Sequence, residues 1–255
     1  MIVTLDGELW REEELETSMY DDEFYYGYMG KNSLSSSSIK VLANKPNDYF
    51  RYINSTGVSD SKFDFGSLFH WYLLEPDVFE KQVFVDVPRR SGKVWQEAEE
   101  KHGKVYLMSD RFKVQQVAKQ LLSCRKVEHI FEHSQTEIPT VGMINGYCFR
   151  AKADILGDGF IVDLKTCRNL NGFKWDARDY GYAAQVYIYT ELFKIDYTNW
   201  TFIAVDRNTG DFDFYTISEE FYLSGKEIVM DGIENYKLIE KGQTMFEPKY
   251  REFVL

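Results

Sequence analysis

Residues 135–166 read QTEIPTVGMINGYCFRAKADILGDGFIVDLKT. Polar and apolar side chains alternate along much of this stretch, which is the two-residue period of a β-strand. Asn145-Gly146 supplies the positive φ angles of a type I′ turn, and Gly157-Asp158-Gly159 marks a second turn. The stretch therefore predicts an antiparallel meander of three strands, at 135–144, 147–156 and 160–166.

Helical spacing of apolar residues flanks the meander on both sides. Ser35 to Ser38 form an N-cap cluster ahead of a helix that Pro46 stops or kinks. Residues 64–76, DFGSLFHWYLLEP, have the spacing of a buried helix that ends at Pro76. Further helices are predicted over 109–131, 177–194 and 219–241, and a second hairpin over 199–218 around Asn208-Thr209-Gly210. This order of elements predicts a mixed α/β domain.

The composition is that of a compact globule. The chain has 255 residues, of which 44% are hydrophobic and 16% aromatic, enough for one large domain or two small ones. Its 30 basic and 41 acidic residues give a net charge of −11. This balance argues against a simple nucleic-acid coat protein and a polybasic membrane binder, because both work by summing positive charge.

The first thirty residues differ from the rest of the chain. Residues 1–30 are acidic and rich in tyrosine, and we expect an arm that packs on the surface or on another subunit, or else a partly ordered tail. Residues 31–255 are expected to form a single domain. The N-terminus lacks the basic and apolar regions of a signal peptide, and no run approaches the roughly 18 apolar residues of a membrane span. We therefore expect a soluble, cytoplasmic protein.

The cysteine content argues against several kinds of site. Cys124, Cys148 and Cys167 are odd in number and widely spaced, and no C-x-x-C pair is present. A disulfide framework, a zinc site and a four-cysteine iron–sulfur cluster are all disfavoured by this spacing. We expect these residues to be small members of the core.

Charged residues are concentrated on the second and third predicted strands. By the two-residue period, Arg150 and Lys152 share a face with Asp154, and Asp163 shares a face with Lys165. If the strands pair around the glycine turn, the two aspartates lie on neighbouring strands. Apolar neighbours suggest that Asp163 is buried, and a buried pair of carboxylates attracts a divalent cation such as Mg²⁺ or Mn²⁺. A solvated, charged sheet face is the alternative.

Five motifs in register resemble the PD-(D/E)XK nuclease superfamily. They are SLSSSSIKVLANKPNDYF (33–50), GSLFHWYLLEP (66–76), Glu137 followed by RAKAD ending at Asp154, DLK at 163–165, and Q-x-x-x-Y from Gln185 to Tyr189. Within the superfamily, the chain resembles the RecE-type exonucleases (exodeoxyribonuclease VIII), which are related to lambda exonuclease and the RecB nuclease domain. The resemblance implies a restriction-endonuclease-like core, with a mixed, mostly antiparallel sheet flanked by helices. Ala153 stands where the superfamily's name motif has proline.

The resemblance also implies roles for individual residues. Asp154, Asp163, the Leu164 carbonyl and His70 would hold Mg²⁺ or Mn²⁺, and Lys165 would orient and help deprotonate a water, or hold the phosphate. Glu137 would support these ligands or bind a second metal ion, and Gln185 and Tyr189 would point at the DNA backbone. The simpler alternatives are a core histidine for His70, a surface carboxylate for Glu137 and a core aromatic residue for Tyr189.

Basic residues are candidates for DNA contacts. Arg89, Arg90 and Lys93 form a local basic loop that could anchor the 5′ phosphate or backbone of a DNA end, or could be a solvated turn. We expect this loop to gather near the site with Arg150, Lys152 and Lys165, while acidic residues spread over the outer surface and the N-terminal arm.

The resemblance implies a Mg²⁺-dependent 5′→3′ exonuclease that acts on ends of linear double-stranded DNA. Its 3′ single-stranded tails would pass to a single-strand annealing protein, and the enzyme would be a ring-forming homo-oligomer, a trimer or tetramer, in a bacterial cell or phage-infected host. One alternative is a CRISPR-adaptation or helicase-linked nuclease, although no iron–sulfur cluster is expected. Another is a non-catalytic DNA-binding module, against which the complete set of Asp154, Asp163 and Lys165 argues.

Overall fold

A computed structural model of the chain describes residues 1–55 and 64–247. Residues 248–255, the end of the expected domain, lie outside the described residues. The elements of the first half are β1 (Ile2–Val3), β2 (Leu9–Trp10), α1 (Glu12–Ser18), a π-helical turn (Phe24–Tyr28), α2 (Met29–Asn32), α3 (Ser36–Asn44), α4 (Tyr49–Asn54), α5 (Asp64–Leu74), α6 (Pro76–Glu80), β3 (Phe84–Val85), α7 (Lys93–His102), β4 (Tyr106–Leu107), α8 (Met108–Leu122) and α9 (Arg125–Glu132). The second half contains β5 (Ser134–Ile144), β6 (Tyr147–Gly157), β7 (Phe160–Cys167), α10 (Phe173–Asp179), α11 (Tyr182–Phe193), β8 (Trp200–Asp206), β9 (Phe212–Thr216) and α12 (Glu219–Glu240).

The central sheet has five strands in the order β5-β6-β7-β8-β9. The predicted meander is confirmed, since β5, β6 and β7 pair antiparallel, and Asn145 and Gly146 turn the first hairpin at φ 50° and 84°. The crossover through α10 and α11 then brings β8 back parallel to β7, and β9 closes the predicted second hairpin. The mixed α/β fold class is therefore confirmed.

Helices cover both faces of this sheet. On one face, α3, α11 and α12 pack on residues such as Phe149, Ala153 and Phe202. On the other face, α5 and α8 pack on a cluster that includes Ile155 and Val162. Because helices cover both faces of the sheet, β7 is mostly apolar, and its charged residues are Asp163 and Lys165.

Two predicted helices are each divided in two. The region 109–131 becomes α8 and α9, separated where Cys124 adopts an extended backbone. The region 177–194 lies in α10 and α11, separated at Gly181, whose φ of 62° favours glycine. A Cβ at Gly181 would lie 2.9 Å from Cδ of Lys40, so glycine at this position also leaves room for the Lys40 side chain of α3. Neither break has the proline that would identify it in the sequence.

The N-terminal arm, residues 1–30, is ordered and packs on the first hairpin of the sheet. Leu15, Met19 and Met29 are buried with Val141 of β5 and Cys148 of β6. The chain after the arm continues the contact, since the Leu34 N–H donates to the Cys148 carbonyl at 2.8 Å. The arm is therefore positioned beside the strand that carries Asp154.

Two further features bear on the sequence-based expectations. Cys148 and Cys167 are buried and Cys124 is half-buried, and all three are free. Among the described residues, no helix combines the length and the apolar character that a membrane crossing requires.

Candidate active site

The candidate site lies where strands β6 and β7 separate. Their last paired residues are Ile155 and Val162, and Asp154 and Asp163 occupy the next positions on the two strands. The Asp154 carboxylate replaces the missing ladder contact, because its Oδ2 accepts the Leu164 N–H at 2.8 Å. The predicted proximity of the two aspartates therefore follows from the register of the glycine turn.

On the other side of β6, the neighbouring strand β5 is distorted at Glu137. Thr136 pairs with Ile155 and Ile138 with Ala153, so Glu137 faces Asp154, but at this residue the backbone has a φ of 54°. A non-glycine residue in this left-handed region is uncommon in a strand, and such outliers cluster at functional sites. The distortion places the Glu137 side chain beside Asp154.

His70, Glu137 and Asp154 form a group of potential metal ligands. One ligand atom from each residue lies within 4.8 Å of the other two. Helix α5 brings His70 over the gap between the strands, with Nδ1 3.6 Å from Oδ2 of Asp154. Two carboxylates and one imidazole fit Mg²⁺ or Mn²⁺, which bind through a few protein groups and keep open positions for water and phosphate.

The electrostatics of these three residues also fit a cation. Burial lowers the pKa of His70 against the opposing effect of Asp154, which leaves a neutral imidazole with a free lone pair. Burial and the nearby charges of Asp154 and Glu75 raise the pKa of Glu137 to about 8. A bound cation would offset this accumulation of negative charge. The Leu164 backbone opposes the effect of burial on the pKa of His70, and binding of a metal ion by the Leu164 carbonyl stays a prediction.

Asp163 and Lys165 form a buried ion pair next to this group. Lys165 Nζ lies 2.6 Å from Oδ2 of Asp163, and the Gln185 side chain donates to Oδ1 at 2.5 Å. Burial raises the pKa of Asp163. Burial alone would lower the pKa of Lys165, but the negative charges of Asp163 and Asp154 raise it. Both oxygens of Asp163 thus have partners within the chain, and it is Glu137 that completes the close group with His70.

Helix α3 adds a second lysine that the sequence analysis left without a role. Lys40 is the lysine of the SSSIK motif, and its Nζ lies 5.9 Å from the centre of the Tyr182 ring, which Lys165 approaches to 4.9 Å. Burial, with the nearby charge of Lys165, lowers the pKa of Lys40 to about 8. Two cations therefore share one aromatic ring beside Asp163.

The N-terminal arm also reaches the site. Asp22 pairs with Lys152 at 2.9 Å, and the Tyr25 and Tyr26 rings lie 5.5 and 5.4 Å from the same ammonium. On its other side, Lys152 lies 3.7 Å from Glu137. No sequence motif indicates these arm residues, because the contact with Lys152 spans 130 positions.

Comparison with known proteins identifies the domain. Residues 35–252 match a family described as a PDDEXK-like domain of unknown function (DUF3799). The chain belongs to this family. The match excludes residues 1–34, so the arm lies outside the part that defines the PDDEXK-like domain. This membership supports a nuclease. No curated protein matches the chain.

Two solved structures resemble this PDDEXK-like chain. One is the crystal structure of a "Putative exonuclease" from Eubacterium rectale, with a TM-score of 0.64 and 14% identity over 92% of this chain and 88% of that one. The other is the crystal structure of SSO0001, with a TM-score of 0.35 and 18% identity over 70% of this chain and 86% of that one. At these identities the first likeness concerns the fold alone, and the second is too weak to carry an argument.

The basic loop of the PDDEXK-like domain does not present a row of free cations. Arg90 binds the buried Asp64 and, at 2.8 Å, Asp110, while Lys93 lies 3.7 Å from Glu97 of its own helix. Asp64 and Asp110 are 20 or more positions from Arg90 in sequence, so only the tertiary structure reveals these two partners. Arg89 and Lys93 are exposed, and the contact of this loop with DNA stays a prediction.

The remaining predicted residues have mainly internal contacts. Arg150 donates to the Ser33 hydroxyl at 3.1 Å and lies 5.1 Å from the Tyr25 ring, so it fastens the arm to β6. Tyr189 is 9% exposed and packs edge-on against Trp200 in the core. Gln185 and Tyr189 share a face of α11 as predicted, but that face packs on the sheet, and Gln185 contacts Asp163.

Proposed function

We propose that this protein is a Mg²⁺- or Mn²⁺-dependent exonuclease that degrades linear double-stranded DNA from 5′ to 3′ and leaves 3′ single-stranded tails. The observation that carries the proposal is the meeting of two groups at the gap between β6 and β7. His70, Glu137 and Asp154 provide three potential metal ligands, and the Asp163–Lys165 pair lies beside them. The direction of degradation rests on the resemblance of the motifs to RecE-type exonucleases.

The residues divide the work of phosphodiester hydrolysis between them. His70, Glu137 and Asp154 would hold the cation, with Asp163 and the Leu164 carbonyl adjacent. A divalent cation would supply a Lewis acid that polarises the scissile phosphate and lowers the pKa of an attacking water.

Lys165 extends from β7 beside these ligands, where its ammonium can orient the water or contact the phosphate. Gln185 fixes the Asp163 carboxylate that holds Lys165 in place. Lys40 and Lys152 provide further positive charge for the DNA backbone, in addition to the predicted contacts of Arg89, Arg90, Lys93 and Arg150.

The biological setting proposed here follows the same resemblance. The enzyme would act in the cytoplasm of a bacterial cell or phage-infected host, as a ring-forming trimer or tetramer that encloses DNA. Its 3′ tails would be substrates for a single-strand annealing protein in recombination.

Duplexes labelled at either end test the proposed reaction and its direction. With Mg²⁺, we expect the 5′ label to be released first as mononucleotides or short products, and EDTA to stop the release. Release of the 3′ label first would contradict the direction, whereas release in EDTA would contradict the metal requirement.

The arm contact gives a separate prediction. Asp22→Asn removes the carboxylate that pairs with Lys152, so we expect tighter binding of duplex DNA. The slope of log K against log salt concentration should become steeper by the amount that about one additional phosphate contact contributes. Fluorescence anisotropy in EDTA at several salt concentrations measures both quantities. Glu23→Gln removes the same charge from the arm and is the matched control. Equal affinities for the two variants would contradict a role of Asp22 in restraining Lys152.

A further inference from the structure

A second group of potential metal ligands lies at the C-terminal end of α9. Residues 129–133 read HIFEH, and one ligand atom from each of His129, Glu132 and His133 lies within 4.8 Å of the other two. Positions i, i+3 and i+4 of a helix share one face, which explains why the three side chains converge. All three residues are exposed, so an ion can reach them from solvent.

The hydrogen bonding of His133 prepares this ring for metal binding. Its Nδ1 lies 2.9 Å from the His129 carbonyl oxygen. Because a carbonyl only accepts, Nδ1 donates and carries the proton, which leaves the lone pair on Nε2. Histidines that bind metals commonly donate their other ring N–H to a carbonyl in this way, which fixes both the tautomer and the orientation of the ring.

The position at the end of the helix favours a cation as well. The last carbonyl groups of a helix carry partial negative charge, and His133 is the residue that follows the last turn of α9. The two imidazole rings lie close together, with their centres 4.2 Å apart. A short movement of exposed side chains is therefore enough to bring both nitrogens to one ion.

We propose that His129, Glu132 and His133 form a second metal site, which binds one borderline divalent transition-metal ion such as Zn²⁺. Two imidazole nitrogens and one carboxylate oxygen are ligands that suit Zn²⁺ and disfavour Mg²⁺. Three protein ligands leave a fourth position for water. The site is separate from the candidate active site, where carboxylates outnumber the imidazole.

The sequence H-x-x-E-H also occurs in zinc-dependent hydrolases, where the glutamate takes part in catalysis. Here the three side chains lie on an exposed helix end, whereas a catalytic zinc site needs a pocket that positions the substrate. The proposal therefore concerns metal binding and its effect on stability. A bound ion would link the last turn of α9 to His133, the residue that immediately precedes β5.

Metal titration of three full-length proteins tests this site. Asp154→Asn, which removes a ligand from the candidate active site, provides the common background. His133→Ala and His102→Ala are each added to it, and His102 is the control because it is an exposed histidine in the last turn of α7. Binding of Co²⁺ is followed by its absorption spectrum and binding of Zn²⁺ by calorimetry. Melting curves with and without Zn²⁺ show whether the ion stabilises the fold.

We expect the background protein and the His102→Ala protein to bind Zn²⁺ with the same affinity and to melt at a higher temperature when it is added. His133→Ala should weaken the binding by about tenfold or more and remove the shift in melting temperature. Equal Zn²⁺ affinity with and without His133 would overturn the proposal, as would an equal loss in His102→Ala. Because the background lacks an active-site ligand, these outcomes do not depend on nuclease activity.

Discussion

Lys165→Met is expected to lower the rate of DNA hydrolysis by about 10²-fold or more, which is the effect of removing one preorganised electrostatic group from an active site. The ammonium lies 2.6 Å from Asp163 and extends from β7 beside the predicted metal ligands. Methionine keeps much of the apolar stem and loses the charge. Release of nucleotides from linear duplex DNA in Mg²⁺ measures the change in kcat.

The same substitution should also destabilise the fold, and this effect must be separated from catalysis. Lys165→Met leaves Asp163 buried without its cationic partner, and breaking a buried ion pair typically costs about 3–5 kcal/mol. Asp163→Asn in the same chain removes the uncompensated charge, so the double variant should recover much of the lost stability. We expect it to remain inactive. A double variant that recovers both stability and cleavage would show that the pair is only structural.

Gly225→Ala is expected to lower the free energy of unfolding by about 1–3 kcal/mol, the usual cost of overpacking a core. A Cβ on Gly225 of α12 would lie 2.0 Å from the backbone oxygen of Ala183 in α11, so the two helices must move apart. Alanine gains up to about 1 kcal/mol over glycine in helix propensity, which is too little to offset a collision with backbone.

The displacement should also reach the candidate site, because Gln185 follows Ala183 by two residues and holds Asp163. Gly172→Ala is the control, since a Cβ there meets nothing within 4 Å. Chemical denaturation of both variants measures stability, and nucleotide release well below the melting temperature measures activity. A Gly225→Ala protein as stable and active as the Gly172→Ala protein would contradict this view of the α11–α12 contact.

The sheet and the pair of aspartates could be predicted because both depend on local sequence. Alternation along 135–166 identifies the strands, and the turn at Gly157-Asp158-Gly159 fixes the register that sets Asp154 beside Asp163. The helical spacing of apolar residues over 64–76 likewise placed His70 on a helix. These features need no knowledge of how distant parts of the chain pack.

The rest of the site depends on tertiary contacts that local patterns do not encode. Glu137 lies close to His70 at a point where the backbone is distorted, and no local pattern predicts that distortion. The target of Gln185 depends on how α11 lies on β7, and the partners of Arg90 and Lys152 come from remote segments. The expectation that acidic residues stay away from the site is therefore wrong for Asp22 of the arm, which forms an ion pair with Lys152.

We propose that His70, Glu137 and Asp154 hold a divalent cation and that this cation and the Asp163–Lys165 pair together hydrolyse DNA. The most direct measurement is the release of acid-soluble nucleotides from linear duplex DNA by the wild-type protein and by Asp154→Asn, each with Mg²⁺ and with EDTA. We predict release by the wild-type protein in Mg²⁺ alone, and none by Asp154→Asn. A wild-type protein that leaves duplex and single-stranded DNA intact in Mg²⁺ and in Mn²⁺, or an Asp154→Asn protein as active as wild type, would contradict it.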